Sequence, residues 1–297
     1  MIHNTVLLKE TIDGLDIHES DIVVDGTLGN GGHTEEILKR FGSKVKVYAI
    51  DEDADALTRS EERLKPLKGN ITYLLGNFRN MDHLLKDAGV EKVDKILLDI
   101  GMSSNQLEES GRGFSFRTEE PLNMSFKKEV GLEDWTAERI VNTWDEDSLR
   151  TIIKHYGEEK FAGRIAKAIV RTRDLTPIKT TSDLTNIILS ATPAFYHRQR
   201  LHPATRTFQA LRITVNDELQ ALNEVLEKGF QILNKDGRIA IISFHSLEDR
   251  IVKNYIKTMD SVKFGLRITK KPTIPTAEET EANPRSRSAK LRIIQKI

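Results

Sequence analysis

The chain of 297 residues is 38% hydrophobic and 30% charged, a profile of folded rather than disordered or fibrous protein, with length for about two domains. It has no cysteine, which excludes disulfides, thiolate-bound zinc or iron–sulfur clusters and cysteine-nucleophile catalysis. Its 45 Lys/Arg and 45 Asp/Glu cancel overall, yet residues 263–297 hold nine Lys/Arg against three Glu, and residues 108–150 hold eleven Asp/Glu against six Lys/Arg, so neutrality does not exclude a nucleic-acid face.

In chain order, Ile22–Asp25 is predicted as a strand, Thr34–Phe41 as a helix closed by Gly42, and Val45–Ile50 as a second strand followed by a helix to about Leu64. Ile71–Leu75 and Lys95–Asp99 follow as strands three and four. Short, nearly continuous apolar runs alternating with helices are the pattern of parallel strands covered on both faces. From 108 to about 205 no such strand occurs, whereas Leu149, Ile152, Ile153 and Tyr156, then Ile165, Ala168 and Ile169, recur at helical spacing. This predicts a discontinuous α/β domain, 1–107 with 206–297, interrupted by a helical domain at 108–205. Glu218–Leu233 reads as a helix, Asp236-Gly237 as a turn, Arg238–Phe244 as a strand and Leu247–Met259 as a helix. Phe264–Thr269 and Lys290–Ile294 are β-like, separated by a loop bearing Pro272, Pro275 and Pro284. No apolar run approaches the roughly 18 residues of a membrane span, and Met1–Glu10 lacks a basic region followed by an apolar one, so a cytoplasmic protein is expected.

The first strand runs into Asp25-Gly26-Thr27-Leu28-Gly29-Asn30-Gly31-Gly32-His33, and a helix follows. Glycines at a strand-to-helix turn permit positive φ and close ligand approach, and the helix start presents unpaired N–H groups. Asp51, ending strand two, can accept both ribose hydroxyl protons of a nucleoside. The G-x-G-x-x-G spacing of dinucleotide sites and the G-K-[ST] of P-loops are both absent. The turn instead looks like the Asp-x-Gly-x-Gly-x-Gly loop of S-adenosylmethionine methyltransferases, with Thr27 in place of the first glycine. Strand four ends in Asp99-Ile100-Gly101-Met102-Ser103-Ser104-Asn105-Gln106, at the sheet edge where open α/β folds bind ligands. A carboxylate there can hydrogen-bond an amine and orient its lone pair.

Several motifs together carry a family resemblance over nearly the whole chain. They are Gly31-Gly32-His33, Asp99 to Ser104 with Gln106, Arg112-Gly113-Phe114-Ser115-Phe116, Tyr156-Gly157-Glu158-Glu159, His202 to Ile213, Ser243 to Arg250, and Asn283 to Arg292. The sequence resembles the RsmH (MraW) methyltransferases of the small ribosomal subunit. The resemblance implies a Rossmann-like class I methyltransferase sheet with an inserted α-helical domain, and transfer of a methyl group from S-adenosylmethionine to the exocyclic N4 of a cytidine in 16S ribosomal RNA near the decoding centre. It implies cofactor contacts at Gly31, Gly32, His33, Asp51, Phe78, Asp99 and Gln106. Phe78, following strand three, also has an aromatic face for the adenine ring. One departure stands out: the family's Pro-Leu-Asp-Met-Arg-Met-Asp is here Pro121-Leu122-Asn123-Met124-Ser125-Phe126-Lys127, with both acids and the arginine lost.

Without cysteine, cytosine C5 chemistry through a covalent adduct is excluded, whereas N4 needs only an oriented amine, with Asp99 as the catalytic acceptor. Phe114, Phe116 and Phe208 are candidates to stack a base taken from its strand, and His245 to contact substrate. Arg198, Arg200, His202, Arg206 and Arg212, with Arg285, Arg287, Lys290 and Arg292, suit phosphate contacts. The inserted domain is expected to shape substrate access, contact ribosomal protein or simply cap the fold. No metal site is expected, and a homodimer stays open. Three other readings stand at this point: a nicotinamide-dependent oxidoreductase, a non-catalytic RNA-binding or assembly factor, and a methyltransferase of DNA or protein amines.

Overall fold

The computed structural model describes residues 5–102, 107 and 110–297. The elements begin with α1 (Leu8–Leu15), β1 (Ile22–Asp25), α2 (Gly32–Phe41), β2 (Lys46–Asp51), α3 (Ala54–Leu64), β3 (Asn70–Leu75), α4 (Met81–Asp87) and β4 (Val93–Asp99). A helical stretch follows: α5 (Ala137–Thr143), α6 (Glu146–His155), α7 (Ala162–Arg173), α8 (Thr181–Ala191), α9 (Ala194–His197) and α10 (Ala204–Asn216). The chain ends with α11 (Glu218–Ile232), β5 (Leu233–Ser243), α12 (Ser246–Ser261), β6 (Gly265–Arg267), α13 (Ala277–Ala282) and β7 (Lys290–Lys296). Two compact units result, Met1–Gly101 with Leu219–Ile297, and Met102–Glu218. Among the described residues no helix is long and apolar enough to cross a membrane.

The first unit is built on a seven-stranded sheet of order β3-β2-β1-β4-β5-β7-β6. β1 to β5 pair in parallel, and β7 returns antiparallel to β5 and β6. Successive residues of a strand point to opposite faces, and here both faces are apolar. Val24, Ile96 and Leu98 pack with Met81, Leu85, Leu222, Leu226, Val252 and Ile256 on one side. Val23, Leu97, Ala240 and Ile242 pack with Ile12, Leu15, Ile37, Leu38 and Leu64 on the other. The sheet is therefore doubly wound, as expected of the class I methyltransferase type, and strand order reverses between β1 and β4.

Two local differences from the sequence reading have physical causes. Asp236-Gly237, expected as a turn before β5, lies inside that strand as a bulge: pairing jumps from Val93↔Leu233 to Lys95↔Arg238. Asp236 takes φ 63°, and a Cβ on Gly237 would sit 2.7 Å from the Asp94 carbonyl oxygen. Helix α1 has no counterpart in the reading, since eight residues are too few to establish a period; it buries Thr11, Ile12 and Leu15.

The second unit packs α5 to α8 and α10 around Ile140, Leu149, Ile153, Ile165, Ile169, Leu184, Ile188, Phe208 and Leu211. Its limits differ from the expected 108–205, because α10 contributes Ala204, Phe208 and Leu211 to this core and so stays with it up to Glu218. The altered Pro121–Lys127 loop is knit into the same unit. Asn123 accepts from the Ser125 N–H at 3.0 Å, and Asn216 bonds both the Phe126 N–H and the Met124 carbonyl at 2.8 Å. Arg112 donates to the Ser125 and Phe126 carbonyls. Residues that replace the family's charged positions thus hold a turn together.

Candidate active site

The carboxyl ends of β1, β2 and β4 converge through short hydrogen bonds. β1 delivers Asp25, which is 1% exposed; its Oδ2 accepts from the Thr34 hydroxyl at 2.7 Å and its Oδ1 from the Thr27 N–H at 3.2 Å. The chain then turns through Gly29 (φ 51°) and Gly31 (φ 73°), positions open to glycine because a Cβ disfavours the left-handed region. Gly31 is the N-cap of α2 and has no side chain with which to cap that helix start. A Cβ on Gly32 would lie 1.8 Å from Thr5 Oγ1, so its smallness is required by packing inside the protein.

Asp51 fixes the loop from β2: Oδ2 accepts from the Gly29 N–H at 2.7 Å and Oδ1 from the Asp53 N–H at 2.9 Å. Two of the roughly four lone-pair sites of the carboxylate are thereby used, which leaves capacity for a diol. Thr27 completes the junction, its hydroxyl accepting from the Asp99 N–H at 2.6 Å and tying the β1 turn to the end of β4. The residue that departs from the glycine pattern is thus a structural clasp.

Asp99 itself has Oδ2 3.8 Å from Nδ1 of His33, a residue 5% exposed at the start of α2. Its Oδ1 is shut off from solvent and has no hydrogen-bond partner among the described residues, whereas a quarter of the side chain as a whole is accessible. Burial, then repulsion from Asp25 and Glu248, pushes the Asp99 pKa up to about 7. Burial likewise raises Asp25 and Asp51 to about 6. Three carboxyls crowded at one sheet edge are costly unless charge or donors arrive there, the signature of a functional site.

Phe78 opens a turn directly after β3, half-buried against the first core. Asn77 before it donates to Glu52 Oε2 at 2.8 Å, joining the ends of β2 and β3. Gln106 lies outside the described residues. His245 follows β5 and is the N-cap of α12: its Nδ1 accepts from the Glu248 N–H, and its Nε2 faces Glu248 Oε1 at 3.0 Å. Neither of those two facing atoms has a hydrogen-bond partner among the described residues.

The RNA-facing expectations divide. Phe114 is corrected: it is 6% exposed in the core of the second unit with its ring stacked on Phe126 at 5.6 Å, so no base can reach it. Phe208 is buried in the same core. Phe116 is half-buried, one face stacked on His202 at 4.6 Å. Arg206 donates to the Glu158 carbonyl. Arg212 is engaged by Glu218 through two bonds of 2.7 and 2.8 Å, and Lys290 and Arg292 share the one carboxylate of Asp249 at 2.9 and 2.7 Å, so Arg212 is neutralised and the pair of Lys290 and Arg292 keeps one net positive charge. Arg285 and Arg287 are exposed on the turn before β7, whose antiparallel register pairs Lys290 with Ser243. That register brings the turn to the sheet edge that carries Asp99 and His245.

Asp25, Thr27, Thr34 and Glu52 were missed from sequence. The signal for Asp25 was its place before the glycine turn; for the others only the pairing of strand ends reveals a role.

A doubly wound sheet of this order, with a glycine turn after β1 and acids closing β2 and β4, defines a class I methyltransferase fold. The chain belongs to the MraW methylase family, whose model matches residues 1–297. It is 47% identical to two proteins named ribosomal RNA small subunit methyltransferase H, from the Loch Maree and Kyoto strains of Clostridium botulinum, over 99% of both chains in each case. Solved structures similar to it include NSun6 from Pyrococcus horikoshii with SFG, at 14% identity and a TM-score of 0.49, covering 99% of this chain and 53% of that one. TrmN from Thermus thermophilus matches at 10% identity and a TM-score of 0.44, covering 98% and 48%.

Proposed function

We propose that this protein transfers a methyl group from S-adenosylmethionine to the exocyclic N4 of a cytidine in 16S ribosomal RNA of the small subunit, near the decoding centre. The observation that carries the reading is Asp99, a carboxylate at the end of β4 whose side chain stays one quarter accessible at the sheet edge although its Oδ1 is sealed off. The accessible part of such a carboxylate suits a planar amine, whose N–H it can accept. The names of the 47% identical relatives support the RNA substrate. The residues present fit the methyl donor: Asp51 retains acceptor capacity for its ribose, and Phe78 offers an aromatic face.

Bound there, S-adenosylmethionine supplies an electrophilic methyl on a sulfonium. The work of this chain is positional. Asp99 accepts an N4–H and directs the nitrogen lone pair; as the new C–N bond forms and the methyl's bond to sulfur breaks, leaving a neutral thioether, the nitrogen gains positive charge that the carboxylate stabilises, and a proton then leaves for Asp99 or water. No covalent base activation is needed, in keeping with a chain that has no cysteine. Cytidine must be unstacked to reach this edge, which single-stranded or distorted RNA makes cheap.

The test is methyl transfer from labelled S-adenosylmethionine to small subunits from cells lacking the gene, read by nucleoside mass spectrometry, with naked RNA, DNA and Asp99→Ala enzyme as controls. N4-methylcytidine that disappears with Asp99→Ala is expected. Label in DNA or protein instead would select the amine-methyltransferase reading, and cofactor binding without transfer would select an assembly factor.

A further inference from the structure

Helix α7, Ala-Gly-Arg-Ile-Ala-Lys-Ala-Ile-Val-Arg-Thr-Arg, carries four cations and no acid. Arg173 turns inward, donating to the Val141 and Trp144 carbonyls at 2.9 and 2.5 Å. Arg164, Lys167 and Arg171 are exposed, as is Lys160 just before the helix. The spacing of three and four residues puts Arg164, Lys167 and Arg171 on one face, spanning about 10 Å at 1.5 Å per residue. None of the four forms an ion pair among the described residues, whereas Arg150 pairs with Asp147 at 3.0 Å and Lys127 with Asp134 at 2.8 Å. Of the acids flanking the stripe in sequence, Glu159 is 1% exposed and occupied by the Tyr196 hydroxyl and the Phe161 N–H, while Glu158 and Asp174 lie exposed at its two ends and form no ion pair with these cations among the described residues. A merely solvating surface mixes both signs.

Aromatic rings lie beside these charges. Lys160 Nζ sits 4.9 Å from the Tyr196 ring centroid, 5.2 Å from Phe161 and 5.7 Å from Phe195, and the Arg164 guanidinium lies 5.7 Å from Phe161. Phe195 is 61% exposed, and exposed Arg198 and Arg200 follow it. Cations at close intervals along a line with an open ring among them match the backbone and base of a single strand, and the ring has no purpose against a duplex whose bases are stacked.

We propose that the outer face of α7, with Phe195, is a docking surface for single-stranded RNA, the three helix cations meeting phosphates and Phe195 stacking a base. This rests on the ribosomal RNA reading above and gives the inserted unit a share of substrate capture. The test is binding of a labelled single-stranded oligoribonucleotide at several salt concentrations, alongside methyl transfer into small subunits. Charge reversal at Arg164, Lys167 and Arg171 to Glu should weaken binding and lower the slope of log affinity against log salt by about 2, since each lost phosphate contact removes about 0.7 for a single strand. KM for small subunits should rise with kcat and cofactor affinity retained. Gln at the same three positions keeps side-chain size and should lower the slope to the same degree if the Glu variant folds poorly. Phe195→Ala should weaken binding roughly tenfold with the slope unchanged. An unaltered slope in the Gln variant, with transfer by the native enzyme intact, overturns the proposal and leaves the functional reading standing; a small-subunit substrate that the native enzyme does not methylate overturns that reading, and this surface with it.

Discussion

Ionisation of Asp99 should govern the acid side of the pH–rate profile. Its pKa stands at about 7 through burial and the neighbouring carboxylates of Asp25 and Glu248, against 3.8 for an unperturbed aspartate. Only the carboxylate is a full acceptor for the amine, so kcat/KM should fall as pH drops below about 7. One unit below that midpoint roughly a tenth of the enzyme is competent, and one unit above roughly nine tenths, a change of about tenfold in rate. Asp25→Asn removes the larger of the two repulsive charges while keeping a side chain able to accept from Thr34, so the midpoint should move toward the ordinary carboxylate range. The assay is kcat/KM for transfer into small subunits from about pH 5 to about pH 9, in native and Asp25→Asn enzyme. An acid limb centred near 4 in the native enzyme, or a midpoint insensitive to Asp25→Asn, would refute the reasoning.

Thr34→Val keeps shape but takes a hydroxyl donor from buried Asp25, and should cost about 1.5–3 kcal/mol in chemical denaturation with an unchanged m-value. Arg212→Met strands Glu218, only 8% exposed, and should cost about 3–5 kcal/mol in the same measurement. Arg285→Glu with Arg287→Glu should weaken RNA binding and leave S-adenosylmethionine affinity, read by calorimetry, intact; equal loss of both would show the turn to be structural. Asp25, Asp51 and Asp99 bind protons more tightly folded than unfolded, so their contribution to stability is fullest below about pH 4 and is lost as pH rises through about 6 to 7. Melting of the ligand-free protein should show this decline, and Asp99→Asn should reduce it.

Much of this protein is determined locally and can be read directly. Apolar runs such as Ile22–Asp25 and Lys46–Asp51 are strands because both their faces are buried, and Gly42 ends α2 in a backbone conformation with positive φ. The candidate positions Asp51, Asp99 and the glycine turn are likewise legible, since each closes or follows a strand at the edge where this fold class binds ligands. Family membership follows from long sequence words in order.

What only the tertiary structure decided depends on neighbours distant in sequence. Thr27 reads as a lost glycine until the Asp99 N–H, 72 residues away, is found on its hydroxyl. Phe114 has the same composition signal as any stacking ring, and only the packing of Phe126 against it removes it from the surface. Arg212, Lys290 and Arg292 look free in a charge count, but Glu218 pairs with the first and Asp249 is shared by the other two, while the exposed cations of α7, in a unit whose first part is acidic, form no ion pair among the described residues. A sequence states which charges exist; burial and pairing, which arise only when segments meet, decide which remain available to a partner.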